Sequence, residues 1–159
     1  MNGSLCLLSI LLLACTTLGR FPEHLRIYVR DVVAAREMMS TPITIEDKVE
    51  VEYTHSIFGV QQKEIFSVDI RKNFLLEKVI FGSIAAALYF HSDPGRDLVF
   101  EDNAWVLKGN KQIYPVLKYR VSPGTGHLLK VGNRTFSLSG ESSESGRLIE
   151  ISLEKKDPI

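Results

Sequence analysis

The sequence predicts an antiparallel all-β fold, a sandwich or barrel of about eight to ten short strands, behind an N-terminal apolar signal or anchor segment. Three observations predict it. From residue 24 onward apolar residues recur with a period of two rather than 3.6. The recurring stretches are rich in Val, Ile, Tyr and Phe, which pack well on a pleated surface. Gly, Pro, Asn and Asp clusters punctuate them at short intervals.

The chain opens with an apolar run from Leu5 to Cys15, and Arg20 is its first charged residue. A membrane-spanning helix needs about 20 apolar residues, so a run this short reads as the apolar region of a secretory signal. Leu12-Leu13-Ala14-Cys15 resembles a bacterial lipobox. The expected division is therefore a signal peptide or lipoprotein anchor over residues 1–19, with Cys15 the candidate lipidation site, and one all-β domain over residues 20–159. A lipid on Cys15 would hold the domain on the extracytoplasmic side of the cell membrane. Both cysteines, Cys6 and Cys15, lie in this segment, which leaves no disulfide, thiolate metal site or cysteine nucleophile beyond it.

Strand candidates follow in order. Leu25, Ile27 and Val29 alternate with Arg26, Tyr28 and Arg30. Val49, Val51 and Tyr53 alternate with Glu50, Glu52 and Thr54, and a further strand runs over residues 65–70. Later candidates are residues 74–81, 98–100, 105–107, 116–121, 128–131, 135–138 and 148–153. A short helix over residues 83–90 carries the Ala85-Ala86-Ala87 run. Arg71-Lys72-Asn73, Asp93-Pro94-Gly95 and Ser122-Pro123-Gly124 read as turns. Gly132-Asn133, with positive φ expected at both positions, and Lys108-Gly109-Asn110-Lys111 read as hairpin turns. Asn133-Arg134-Thr135 fits a glycosylation sequon and reads as part of that turn. The polar stretch 139–146 reads as a solvated loop and not as a serine-nucleophile motif, because no apolar strand runs straight into a helix there as a nucleophile elbow requires.

The 159 residues carry 19 basic and 19 acidic side chains, a net charge of zero with no basic stripe. Phosphate binding needs a basic excess, so nucleic acid is not an expected partner. No cofactor is expected.

The residues that carry chemistry lie on one predicted hairpin. Val49, Val51, Tyr53 and His55 share a face, as do Glu64, Phe66, Val68 and Ile70. Both are apolar faces, so His55 and Glu64 sit at the turn end of the core, where a buried carboxylate needs a partner. Glu64 is expected opposite Tyr53 or His55. Two readings follow: a structural His–Glu pair, or a binding site made of Tyr53, His55, Ser56, Glu64 and His127. Were His55, Glu64 and His127 to converge, they would make a divalent-metal set. Ser56 adjoins His55 along a strand and so points to the opposite face, which counts against hydrolase chemistry. His24 and His91 read as surface residues, Trp105 and Tyr119 as core, and Asp97, Glu101 and Asp102 as a solvated edge.

Tyr53-Thr54-His55-Ser56, Gly59-Val60 and Glu64-Ile65-Phe66 resemble the opening motif of the domain-of-unknown-function 1850 family. Ala85-Ala86-Ala87-Leu88-Tyr89, Trp105, Val121-Ser122-Pro123, His127 and Val131-Gly132 follow in the family's order, so the resemblance runs over roughly residues 25–153. The chain departs from the family at residues 81–90, where many members have a Gly-rich turn. The resemblance implies a small exported protein whose genes often neighbour those of tripartite ATP-independent (TRAP) transporters of the TAXI type. The expected function is thus that of a non-enzymatic, membrane-anchored accessory whose partners are the transporter subunits or their solute receptor. The alternative is a stand-alone small-ligand or metal-binding β-domain using His55 and Glu64.

Overall fold

The computed structural model describes residues 25–90, 97–109, 111–139 and 146–155. The expected anchor with Cys15, together with His24, His91, the 93–95 turn and most of the 139–146 loop, lies outside them.

Among the described residues there are twelve strands and one helix. In chain order they are β1 (Leu25–Asp31), β2 (Arg36–Ile43), β3 (Val49–Thr54), β4 (Gln61–Val68), β5 (Phe74–Phe81), α1 (Ile84–Phe90), β6 (Leu98–Glu101), β7 (Ala104–Lys108), β8 (Ile113–Tyr114), β9 (Val116–Val121), β10 (Leu128–Val131), β11 (Arg134–Ser137) and β12 (Arg147–Lys155). They form two antiparallel sheets and no closed barrel. The smaller has the order β2-β1-β12-β9, the larger β11-β10-β3-β4-β5-β7-β6, with β8 also paired to β5. One hydrophobic cluster joins Ile27, Val29, Ile149 and Ile151 of the smaller sheet to Val49, Val51, Phe66, Phe81 and Leu129 of the larger. That shared core makes the fold a sandwich.

Each sheet buries alternate residues, as the period of two requires. In β1, Leu25, Ile27, Val29 and Asp31 are buried and the residues between them are half-exposed. Asp31 is buried because its carboxylate has partners. Its Oδ1 accepts the N–H groups of Val33 and Ala34, and Arg147 lies 3.8 Å from Oδ2.

Two strands escaped the sequence reading. Strand β2 carries Arg36, Glu37, Ser40 and Pro42 and shows little alternation. It lies at a sheet edge, where Pro42 forfeits no ladder bond. Strand β8 corrects the expectation of a hairpin at residues 108–111. β7 pairs with Lys78–Phe81 and β8 with Phe74–Leu75, so the two run end to end along β5. Gly109 makes the join. Its N–H donates to the Glu77 carbonyl at 2.6 Å, and a Cβ there would come within 2.1 Å of the Leu76 carbonyl oxygen. The turn at 132–133 also differs from expectation. Gly132 has φ 57°, and Asn133 is not in the left-handed region, so positive φ occurs only at the first position. Positive φ at both central positions occurs instead at Asp102 (52°) and Asn103 (61°), between β6 and β7. Asp and Asn tolerate it through their short polar side chains.

Register decides which loops share an end. Leu25 pairs with Ile43 and Lys155, at the end where β3 begins. At the other end lie the β3–β4 turn, the start of α1, and the crossover from β9 to β10. There the Thr54 N–H donates to the Thr125 carbonyl (2.8 Å) and the Leu138 N–H to the His127 carbonyl (2.9 Å).

Candidate functional site

This second end carries the sequence-predicted residues, divided between two neighbouring groups. The first is a polar network between the sheets. Tyr53 faces Gln62 across the β3–β4 ladder, and Glu64 faces Val51 rather than Tyr53 or His55. Glu64 follows Gln62 on the same face of β4, two residues on. The Tyr53 hydroxyl donates to Glu64 Oε1 at 2.7 Å. The Tyr119 hydroxyl, from β9 of the opposite sheet, donates to Glu64 Oε2 at 2.6 Å. Gln62 Nε2 donates to both the Tyr53 hydroxyl (2.6 Å) and Glu64 Oε1 (3.1 Å). A flipped amide would set its oxygen against the Glu64 carboxylate, which accepts only, so this orientation is fixed. Gln62 is buried, and its Oε1 has no hydrogen-bond partner among the described residues. Burial first, then the charge of Glu64 and the bond to it, push both phenols well above their ordinary pKa.

His127 closes this network by stacking on Tyr53, with ring centroids 4.8 Å apart and planes 7° from parallel. Its Nδ1 lies 2.9 Å from the Thr125 hydroxyl oxygen. That hydroxyl donates its one proton to the Ser122 carbonyl at 2.6 Å, so Nδ1 must be the donor to Thr125. Burial lowers the His127 pKa to about 4.

The second group surrounds His55. The His55 ring lies 5.1 Å from Phe58, 6.0 Å from Tyr89 and 5.8 Å from Phe90, centroid to centroid. Its Nδ1 accepts the Ile57 N–H at 3.2 Å, which places the proton of the neutral ring on Nε2. His55 itself is buried, but its surroundings are open: Ile57 is 65% exposed, Tyr89 61% and Leu88 55%. No Asp, Glu, Lys or Arg occurs in 53–62 or in 79–90, the two segments that meet here.

The structure therefore separates what the sequence reading grouped. Glu64 is satisfied by Tyr53, Tyr119 and Gln62, not by His55, because register sets it across from Val51. Ser56 is exposed in the turn, and among the described residues no Ser, Thr or Cys side chain bonds to His55. Nor do His55, Glu64 and His127 gather as a metal set. Among the described residues no group of three or more His, Cys, Asp or Glu side chains is placed to hold an ion. The functional residues that sequence reasoning missed are Gln62 and Tyr119. Gln62 carried a legible signal, being a polar residue two before Glu64 on the same buried face. Tyr119 comes from the other sheet, and no local pattern announces it.

The family model for domain of unknown function 1850 (DUF1850) matches residues 49–138, more than half of the chain. This chain belongs to the DUF1850 family. The match runs from β3 to β11, and so takes in every strand of the larger sheet and, from the smaller, β9 alone. It is narrower than the 25–153 that the motif resemblance implied. Both groups of the DUF1850 site, around Glu64 and around His55, fall inside it. No curated protein and no solved structure matches the chain.

Proposed function

We propose that this DUF1850 protein is a non-enzymatic, membrane-anchored extracytoplasmic accessory that binds a partner through the end of the sandwich around His55. The partner class we propose is a subunit or solute receptor of a TAXI-type TRAP transporter. The observation that carries the binding reading is the exposure of Ile57, Leu88 and Tyr89 on two touching, charge-free segments. An apolar patch of this kind, rimmed by polar strands, is how a docking surface looks in a water-soluble domain. The transporter assignment draws its support from family membership, and the anchor from the apolar run at residues 5–15. The Glu64 carboxylate nearby is held by Tyr53, Tyr119 and Gln62, which favours a scaffold over a reacting centre.

The test is a mild-detergent purification of the full-length protein from its native membranes, with companions identified by mass spectrometry, beside Ile57→Ser and Tyr89→Ser variants. Both positions are exposed, so each change should alter stability by less than about 0.5 kcal/mol. Transporter subunits or a receptor that copurify with the unaltered protein and are lost from both variants would support the proposal. Companions that persist in both variants would move the contact surface elsewhere, and a protein that comes out alone would sink the accessory reading.

A further inference from the structure

At the His55 end one buried acceptor has no partner among the described residues, and one imidazole N–H makes no hydrogen bond among them. Gln62 Oε1 is a buried acceptor without a partner, and the amide is held in that orientation by its bonds to Tyr53 and Glu64. Because Nε2 is turned toward Glu64, Oε1 lies on the other side of the amide. His55, just past the end of β3, continues its pairing by donating its N–H to the Val60 carbonyl (2.8 Å), and it presents the complementary group. The Ile57 N–H occupies its Nδ1, which leaves Nε2–H as a donor. His55 and Gln62 are diagonal neighbours across the ladder, since Tyr53 pairs with Gln62, and long side chains bridge such diagonals. Phe90 ties the two positions together, lying 5.8 Å from His55 and 5.5 Å from Phe81, the register partner of Gln62.

A single O–H group satisfies both, accepting from His55 Nε2–H and donating to Gln62 Oε1. The walls around it are aromatic: Phe58, Tyr89 and Phe90. We propose that His55 and Gln62 form a binding site for the hydroxyl of an uncharged, ring-bearing small molecule, whose apolar body lies against Phe58, Tyr89 and Phe90. No Asp, Glu, Lys or Arg occurs over 53–62 or 79–90, and the Glu64 carboxylate behind Gln62 repels an anion, which together select an uncharged ligand. This site stands independently of the transporter assignment, because it rests on unpaired groups of the domain itself.

Phenol and toluene are suitable probes, the same ring with and without the hydroxyl. Each is titrated into the full-length protein with ¹⁵N-labelled histidine and glutamine. Phenol should shift the His55 ring and Gln62 side-chain signals together, with toluene at least roughly tenfold weaker, the difference one hydrogen bond of about 1.4 kcal/mol makes. His55→Phe keeps a ring but removes the N–H, and Gln62→Met removes the acceptor. In each, phenol should fall to the affinity of toluene. The comparison of the two probes on the unaltered protein decides the matter even if neither variant folds. Equal binding of both probes would mean an apolar dent alone, and overturn the proposal. So would silence of both signals, a direct hydrogen bond between His55 Nε2 and Gln62 Oε1, or a bridging position that keeps only water at saturating phenol.

Discussion

At the scale of single residues, Glu64 organises its surroundings. A half-buried carboxylate with no cationic partner among its hydrogen bonds depends on neutral donors, and three reach it. Tyr119→Phe removes the only donor to Oε2 among the described residues and should cost about 2 kcal/mol in urea unfolding, the range for hydrogen bonds to charged groups. His55→Ala combined with Glu64→Gln should show a coupling below about 1 kcal/mol, because the two share no hydrogen bond and meet only through Gln62. A larger coupling would restore the His–Glu pair that the sequence alone suggested. His127 gives a pH signature. Unfolded, it binds a proton with pKa 6.5, and folded with pKa about 4. Between those values the unfolded state holds more protons, so the contribution of neutral His127 is complete above pH 6.5, falls as pH drops, and levels off below 4. The loss should be on the order of 3 kcal/mol, read as the difference between the unaltered protein and His127→Phe in unfolding curves across that range. The sequence showed that His55 and Glu64 face the core at one end. It did not show their partners, because those are chosen by one-residue register and by Tyr119 on a distant strand.

At the scale of elements, two turns make separable claims. Asp69 Oδ1 accepts the N–H groups of Arg71 (2.8 Å) and Asn73 (2.9 Å) in the turn between β4 and β5. Burial works to raise its carboxyl, but the bonds from Asn73 and Arg71 outweigh it, so its pKa lies below the ordinary value. Asp69→Ala should cost about 1 kcal/mol, as loss of comparable caps does, and the difference should shrink as acid protonates Asp69. At Gly109 the constraint is steric. Gly109→Ala drives a methyl into the Leu76 and Glu77 backbone and should destabilise by at least about 2 kcal/mol in thermal unfolding. Most strands were legible because each is half-buried, and burial of one face is what writes alternation into a sequence. Residues 74–81 and 116–121 were read with their observed bounds. Strand β2 was not legible because it is an edge rich in polar residues, and β8 because its two residues are too few to alternate.

At the scale of the whole molecule, the all-β sandwich was legible from periodicity, whereas the choice of sandwich over barrel came from strand order. Strand order is set by contacts far apart in the chain. Nowhere is this clearer than in the smaller sheet, where β12 is inserted between β1 and β9. Chains ending at residue 146 should therefore fail to show a cooperative unfolding transition, even though every strand of the larger sheet is present. The same arrangement gives synthesis a clock. While a ribosome is still short of residue 147, β1 has no neighbour on one flank and Ile27 and Val29 have no Ile149 or Ile151 beside them. The nascent polypeptide is thereby kept from closing early, and its two sheets settle together only once residues 147–155 have emerged.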